Sequence, residues 1–177
     1  DVFADEDFAS DVVSQAMRDY QPVAVLHFAA NSTIGPAVAN PQDTWNNNVT
    51  KSLHMLNCCV NNGVKNVVFA STSAVFADSD EPVGESSRIE PMNAYANTKL
   101  AFEHALRDYN VAYGISSTSL RFFNVAGAHD TYDLGELPGS SHLMARVMES
   151  AVNRNLMEVY GDRKSTRLNS SHTDISR

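Results

Sequence analysis

The 177-residue chain has little cysteine and no apolar run long enough to cross a membrane. Its two cysteines, Cys58 and Cys59, are adjacent within a helical pattern, where neighbouring side chains point in different directions. This placement argues against a disulfide framework or a metal site and is typical of two buried thiols in a reducing compartment. A membrane span needs about 20 apolar residues. Because no such run and no secretory leader are visible, we expect a cytoplasmic protein that binds neither a membrane nor a metal.

Basic residues are also scarce. Lys and Arg total 13 against 21 for Asp and Glu, which gives a formal net charge of −8. An acidic chain without a basic cluster is not expected to bind nucleic acid. The glycine-rich pattern G-x-x-G-x-x-G is absent as well. The chain does have 43% hydrophobic residues, enough for a sizeable core, and its 19% charged residues do not indicate disorder.

Helical and strand patterns alternate along the chain, separated by loops rich in Gly and Pro. Helices are predicted at residues 8–20, 42–62, 94–109 and 141–153, strands at 23–30, 66–70, 117–124 and 157–160, and loops at 31–36, 77–93 and 126–140. This alternation predicts an α/β fold with a doubly wound parallel sheet and right-handed crossovers.

The end of the chain departs from this pattern. From Asp162 to His172 the sequence matches, without a gap, one reading frame of a common sequencing-library adapter. We therefore expect residues 163–177 to be non-native and to add nothing to the fold. The chain also begins without Met, so residue 1 is interpreted as a cut end.

Tyr95 and Lys99 form the pattern Y-x-x-x-K and share one face of a predicted helix. A tyrosine hydroxyl normally ionises near pH ~10. A nearby ammonium favours the phenolate and lowers the tyrosine pKa, so the pair can supply a base. The alternative is an ordinary exposed pair, because the pattern alone is weak.

Hydroxyl groups follow the predicted strand at 66–70. Ser71, Thr72 and Ser73 come directly after it, at the C-terminal end of a parallel strand, where doubly wound sheets bind ligands. The alternative for these residues is turn formation.

The strand, the hydroxyl cluster, the long loop and Y-x-x-x-K together resemble the extended short-chain dehydrogenase/reductase family. Four motifs are similar to those of its UDP-glucose 4-epimerases: Leu26–Ala30 (H-F-A-A/G), Asn46–Thr50 (N-N-V), Ala70–Ala77 (S-S-S-A-x-V-Y-G) and Leu120–His129 (L-R-Y-F-N-x-x-G-A-H). Phe76 and Ala77 replace the usual Tyr and Gly. The resemblance covers residues 1–162 and implies a partial Rossmann-type sheet. It would be an incomplete NAD-binding domain with the start of a UDP-sugar-binding region, and its first strands and glycine loop would precede Asp1.

The resemblance also implies roles for individual positions. Thr72, Tyr95 and Lys99 match catalytic residues that also contact the cofactor. Further cofactor positions are Asp1, Val2, Phe28, Ala29, Ala30, Asn31, Ser32, Asn47 and Phe123. Substrate positions, besides Thr72, are Asn124, His142, Leu143 and Tyr160. Family members often have Lys where Ser32 stands and Asn where His142 stands.

The implied activity is NAD-dependent epimerisation at C4 of a UDP-sugar, through transient oxidation to a 4-keto sugar, by a protein that is a homodimer at full length. The alternatives are another nucleotide-sugar 4-epimerase, a dehydratase or decarboxylase of the same family, or a non-catalytic NAD-binding scaffold. Dehydratases carry an Asp-Glu pair after the catalytic Thr, whereas Ser73 and Ala74 follow Thr72 here.

Overall fold

A computed structural model describes residues 11–129, 131, 135, 139, 140 and 142–157. The chain divides into two compact units, Asp1–Phe123 and Asn124–Arg177. Three of the predicted site positions, Asp1, Val2 and Tyr160, lie outside the described residues, as does the segment 163–177. What the sequence predicts for them stays a prediction.

The first unit contains a three-stranded parallel sheet with the strand order β1–β2–β3. The strands are β1 (Val25–His27), β2 (Asn66–Thr72) and β3 (Ser116–Phe122). In register, Val67 lies opposite Val25 on one side and Ser117 on the other. The parallel α/β prediction is therefore confirmed. Among the described residues, each later strand is added on the same side of the sheet, which corresponds to one half of a doubly wound fold.

Helices connect the strands. In chain order they are α1 (Asp11–Tyr20), α2 (Ile34–Ala39), α3 (Pro41–Trp45), a π-helical turn (Asn46–Thr50), α4 (Lys51–Asn61), a 3-10 turn (Ser73–Val75), α5 (Ala94–Tyr113) and, in the second unit, α6 (Leu143–Asn153). No helix among the described residues is long and apolar enough to span a bilayer.

Local signals set both ends of α5. The side chain of Asn93 accepts a hydrogen bond from the Ala96 amide at 2.8 Å, which caps the first turn. Gly114 adopts the left-handed conformation, with φ at 69°, and ends the helix. Tyr95 therefore falls in the first turn of α5, and Lys99 follows one turn later on the same face.

The core of the first unit is built on β2 and the helices that flank it in sequence. Val67 and Phe69 of β2 are buried together with Leu56 of α4 and Phe102 of α5. The Phe69 and Phe102 rings meet edge to face, with their centroids 4.8 Å apart. Leu26 of β1, by contrast, is 67% exposed. This core fixes α5 against β2 and so determines which side chains meet where β2 ends.

Both cysteines are free and buried, as predicted. Burial raises the pKa of the Cys58 thiol, and it raises that of Cys59 to about 11. The thiol, rather than the reactive thiolate, is therefore favoured at both positions at neutral pH.

Several predicted boundaries are wrong. Residues 31–36 are predicted as a loop because Gly35 and Pro36 are typical of loops, but α2 begins within them. Pro36 lies in the first turn of α2, where a helix needs no backbone amide donor. The single helix predicted at 42–62 is divided by the π-helical turn. The strand predicted at 23–30 is confined to Val25–His27. The helix predicted at 94–109 extends to Tyr113, because the stop signal is Gly114.

Candidate active site

Three residues predicted to be catalytic lie together where β2 ends. Thr72 is the last residue of β2, and Tyr95 and Lys99 lie on the facing side of α5. The Thr72 hydroxyl accepts a hydrogen bond from the Ala74 amide at 3.2 Å, which forms the tight turn that follows the strand. Hydrogen bonding from Thr72 also lowers the pKa of the Tyr95 phenol. The turn-forming role of Thr72 is therefore a contact of the structure, and its catalytic role stays a prediction.

The pKa of Tyr95 moves in the direction opposite to the one expected from the sequence. Burial of the phenol raises the pKa, and the hydrogen bond from Thr72 opposes that rise. The expected lowering by Lys99 does not operate, because the ammonium points elsewhere. Lys99 Nζ donates to the Ala70 carbonyl at 2.7 Å and lies 5.8 Å from the centre of the Tyr95 ring.

Lys99 itself is almost completely buried, with 3% of the residue exposed. Its Nζ lies over the Phe69 ring, 4.7 Å from the centroid, in a cation–π contact. Burial lowers the pKa of this ammonium to about 8, so the group is mainly charged at neutral pH but loses its proton readily. The site therefore holds a cation next to the phenol without directing it at the phenol oxygen.

Asn48 is the residue that sequence reasoning missed. It lies in the π-helical turn and is buried, whereas the predicted Asn47 is half-buried and donates to Asn48 Oδ1 at 3.2 Å. Asn48 Oδ1 accepts from the Asn31 amide at 2.8 Å, and its Nδ2 donates to the Asn31 carbonyl at 3.0 Å and to Thr98 Oγ1 at 3.1 Å. Asn48 thereby ties the segment after β1 to the turn of α5 that carries Lys99. π-helical turns inside α-helices are rare, and those that occur are frequently found at functional sites.

The segment predicted to contact the cofactor follows β1 and borders a cleft of about 430 Å³. The cleft is lined by Ala30, Asn31, Ser32, Thr33, Ala37, Asn40, Asp43 and Thr44. Asn31 Nδ2 donates to the Asp43 carboxylate at 2.9 Å. Asp43 is the only charged residue among these lining residues, which suits hydroxyl and amide groups and disfavours a phosphate at this place.

Aromatic rings lie beside this segment at the ends of two strands. The Phe28 and Phe122 rings are stacked, with their centroids 6.4 Å apart, and both are accessible to solvent. Ala29, between Phe28 and the cleft, is exposed. Phe123 follows β3 directly and is also exposed. Three of the predicted cofactor positions thus offer apolar surface where strands of the sheet end.

The remaining predicted substrate positions belong to the second unit. Asn124 is its first residue, His142 precedes α6 as its N-cap, and Leu143 is the first residue of that helix. All three are exposed. Their role in holding a substrate stays a prediction.

Comparison with known proteins decides the family. A model of the NAD dependent epimerase/dehydratase family matches residues 6–168, which is most of the chain. The chain belongs to this family. The resemblance inferred from the sequence motifs is thus confirmed. The match also runs past Asp162, the expected end of the native sequence, to residue 168.

Two curated epimerase relatives and two solved structures of the family show the extent of the similarity. The UDP-glucose 4-epimerase of Corynebacterium glutamicum is 37% identical over 156 residues, 86% of this chain and 47% of the relative. That of Azospirillum brasilense is 36% identical over 148 residues, 82% of this chain and 42% of the relative. The Brucella ovis UDP-glucose 4-epimerase in complex with NAD superposes with a TM-score of 0.81 at 39% identity, covering 89% of this chain and 50% of that one. The Stenotrophomonas maltophila enzyme, with bound NAD and formylated UDP-arabinopyranose, gives 0.78 at 31%, covering 86% and 47%. The chain spans about half the length of the curated relatives it matches.

The described residues fit part of the NAD that gives the epimerase/dehydratase family its name. The cleft beside Asn31, lined by amide and hydroxyl groups and the Asp43 carboxylate, suits ribose hydroxyls, and the Phe28 and Phe122 rings offer an apolar surface. Lys99 supplies a cation within the same edge of the sheet. The segment Phe28–Ser32, Tyr95 and Lys99 are the candidates for holding the nucleoside part, and their role stays a prediction.

Proposed function

We propose that the protein is an NAD-dependent UDP-sugar 4-epimerase that interconverts UDP-glucose and UDP-galactose. The observation that carries the proposal is the convergence of Thr72, Tyr95 and Lys99 where β2 ends, within a chain of the epimerase/dehydratase family. The names of the curated relatives support this sugar class. Homodimer formation and a cytoplasmic location stay predictions.

Tyr95 is the base in this proposal. As the phenolate, it takes the proton from the 4-hydroxyl of the sugar and later returns it. The Thr72 hydroxyl, whose hydrogen bonding lowers the pKa of Tyr95, hydrogen-bonds the sugar 4-oxygen in the complex. NAD, when bound, would supply a reversible hydride acceptor for C4, so that the 4-keto sugar could be reduced again on its opposite face. Because the cofactor is regenerated, the net reaction is an isomerisation.

Lys99 provides the positive charge that makes the phenolate accessible near neutral pH. In the structure its ammonium is bound by the Ala70 carbonyl, 2.7 Å away, and burial of the phenol keeps the Tyr95 pKa high. The proposal therefore requires that Lys99 reach the cofactor ribose and the phenol when the cleft is filled. Asn48 holds the turn of α5 that carries Lys99, through its bond to Thr98.

The two nearest alternatives differ in specific residues and products. A dehydratase needs an acid/base pair after the catalytic Thr, and Ser73 and Ala74 stand there. It would also release a keto-deoxy sugar nucleotide, which an epimerase does not. A non-catalytic scaffold would bind the nucleotide sugar without reducing NAD, although its site would have no need to retain Thr72, Tyr95 and Lys99 together.

The test uses the full-length protein, meaning this chain expressed with the coding sequence that flanks it in its source DNA. Tyr95→Phe keeps the ring and removes the base, so turnover of UDP-galactose to UDP-glucose should fall by at least ~10²-fold. Tyr113→Phe is the matched control, because Tyr113 ends the same helix and is 49% exposed. Product is measured by chromatography of the nucleotide sugars. A Tyr95→Phe variant that retains the parent rate would refute the assignment of the base, and an inactive parent would refute the function.

A further inference from the structure

Glu103 is a buried carboxylate that the proposed reaction does not use. It lies on α5 one turn beyond Lys99 and is 4% exposed. Arg121 of β3 binds it with two hydrogen bonds, Nε to Oε1 at 3.1 Å and Nη2 to Oε2 at 2.7 Å. Ser71 of β2 donates its hydroxyl to Oε1 at 2.5 Å. These bonds keep the pKa of Glu103 below its usual range despite burial, so the carboxylate is charged at neutral pH.

The Ser71–Glu103–Arg121 network joins three elements at one level of the sheet. Ser71 and Arg121 lie opposite each other in the β2–β3 register. The Arg121 guanidinium also lies over the Phe76 ring, 5.0 Å from its centroid. Phe76 stands where the family that the sequence resembles has Tyr.

The network occupies a particular place relative to the candidate active site. Three consecutive residues of β2 each contact one of three residues spaced by a helical turn on α5. The Ala70 carbonyl accepts from Lys99, the Ser71 hydroxyl donates to Glu103, and hydrogen bonding from Thr72 lowers the pKa of Tyr95. Along β2, Ser71 therefore stands between the two residues that interact with candidate catalytic side chains, whereas along α5 Glu103 lies one turn beyond Lys99. It restrains the strand at the residue immediately before Thr72.

We propose that the Ser71–Glu103–Arg121 network positions the Thr72 hydroxyl against Tyr95 for proton transfer, and that Ser71 and Glu103 are positioning residues of the active site. This inference rests on the proposed function. A buried ion pair is weak evidence for stability, because well-packed apolar residues often replace it at no cost. The two charge-assisted hydrogen bonds between Arg121 and Glu103, in contrast, closely define the distance and angle between β3 and α5, and the Ser71 bond does the same for β2.

The smallest perturbation is Ser71→Ala in the full-length protein. It removes one hydroxyl and leaves both hydrogen bonds between Glu103 and Arg121, so we expect the fold to be retained. Ser73→Ala is the matched control, since Ser73 follows Thr72 directly and its hydroxyl makes no hydrogen bond within the part of the chain that the structure describes. Its backbone carbonyl, which the substitution keeps, accepts from the Phe76 amide. A 1 Å misplacement of a reacting group can cost about 10²-fold. We therefore expect the kcat of Ser71→Ala to fall roughly tenfold, with KM within about twofold of the parent.

Ultraviolet titration of the Tyr95 phenolate, taken as the difference from Tyr95→Phe, gives a readout that does not depend on turnover. The bond from Thr72 lowers the Tyr95 pKa, so loosening Thr72 should move this titration to higher pH in Ser71→Ala and leave it in place in Ser73→Ala. The double variant Glu103→Met with Arg121→Met removes the network without leaving a buried charge. It should fold and show the same loss of kcat and the same titration shift.

Each result decides the question. A kcat and a Tyr95 titration in Ser71→Ala that match both the parent and Ser73→Ala would overturn the positioning role, as would full activity in the double variant. Loss of kcat together with the upward titration shift supports it. If the parent lacks epimerase activity, the proposed function fails, and the titration alone then upholds or overturns the positioning of Thr72.

Discussion

Replacing Lys99 by methionine should stabilise the full-length protein at neutral pH while removing its activity. The ordinary lysine pKa of 10.5 falls to about 8 at this site because the ammonium is buried. At about 1.4 kcal/mol per pH unit, the difference corresponds to roughly 3 kcal/mol of unfolding free energy that burial of the charge takes away. Methionine lacks this cost but leaves the Ala70 carbonyl without the Lys99 donor, a loss of about 1 kcal/mol. The net expected gain at pH 7 is about 2 kcal/mol.

The sign of the pH dependence follows from the same pKa. Between about pH 8 and pH 10.5 the unfolded chain keeps the Lys99 proton and the folded protein has lost it. Since the unfolded state then binds more protons, the contribution of Lys99 to the free energy of unfolding rises with pH across this window. Below pH 8 both states are protonated and the contribution is flat. The Lys99→Met variant should lack the rise.

Urea unfolding of the parent and the variant at several pH values from 7 to 10.5 measures this contribution. Lys65→Met is the matched control, because Lys65 also donates to a backbone carbonyl, that of Tyr113 at 2.8 Å, but lies at the surface. It should change the unfolding free energy by less than about 0.5 kcal/mol at every pH. A Lys99→Met protein that is less stable than the parent at pH 7, or that keeps the same pH slope, would show that burial of the Lys99 charge has been misjudged.

Two further predictions concern Thr72 and Asn48. Thr72→Ser should keep most of the kcat because the hydroxyl survives, whereas Thr72→Val should lose on the order of 10- to 10²-fold because it removes the hydroxyl that lowers the Tyr95 pKa; equal rates for the two would assign Thr72 to the turn alone. Asn48→Ala should lower the free energy of unfolding by about 3 kcal/mol, since it leaves the Asn31 amide and carbonyl and the Thr98 hydroxyl without this partner. The exposed Asn46 is the control for it, and urea unfolding in which Asn46→Ala costs as much as Asn48→Ala would contradict the assignment.

Local patterns in the sequence predict the elements that carry the site but not the contacts between them. The Val67–Ala70 run predicts β2, and Y-x-x-x-K predicts that Tyr95 and Lys99 share a helix face. The sequence does not predict the direction of the Lys99 side chain, because that direction depends on how closely α5 packs on the Ala70 carbonyl. Short-range helix geometry determines the first kind of feature, whereas the second depends on tertiary packing.

Asn48 and Glu103 show two ways in which a functional residue escapes sequence reasoning. Asn46, Asn47 and Asn48 are chemically identical neighbours, and only the phase of the helix, altered by the π turn, decides which one is buried. The Glu103 network joins residues 32 and 18 positions apart in sequence. No spacing rule links such positions, and an acid and an arginine in separate elements read as solvated charges.

The buried polar groups around the end of β2 explain the geometry of the site better than they explain its stability. The Lys99 ammonium, the Glu103 carboxylate and the Asn48 amide are all nearly inaccessible to solvent, and each costs free energy to bury. Every one of them has a hydrogen-bond partner on the strand, on the helix or on the segment after β1. An apolar contact would hold the helix against the strand as well, but it would not define where a hydroxyl and a phenol meet, because apolar packing is not directional. The stability of this edge of the sheet and the precision of the Thr72–Tyr95 contact should therefore be separable, so that variants which raise the first lower the second.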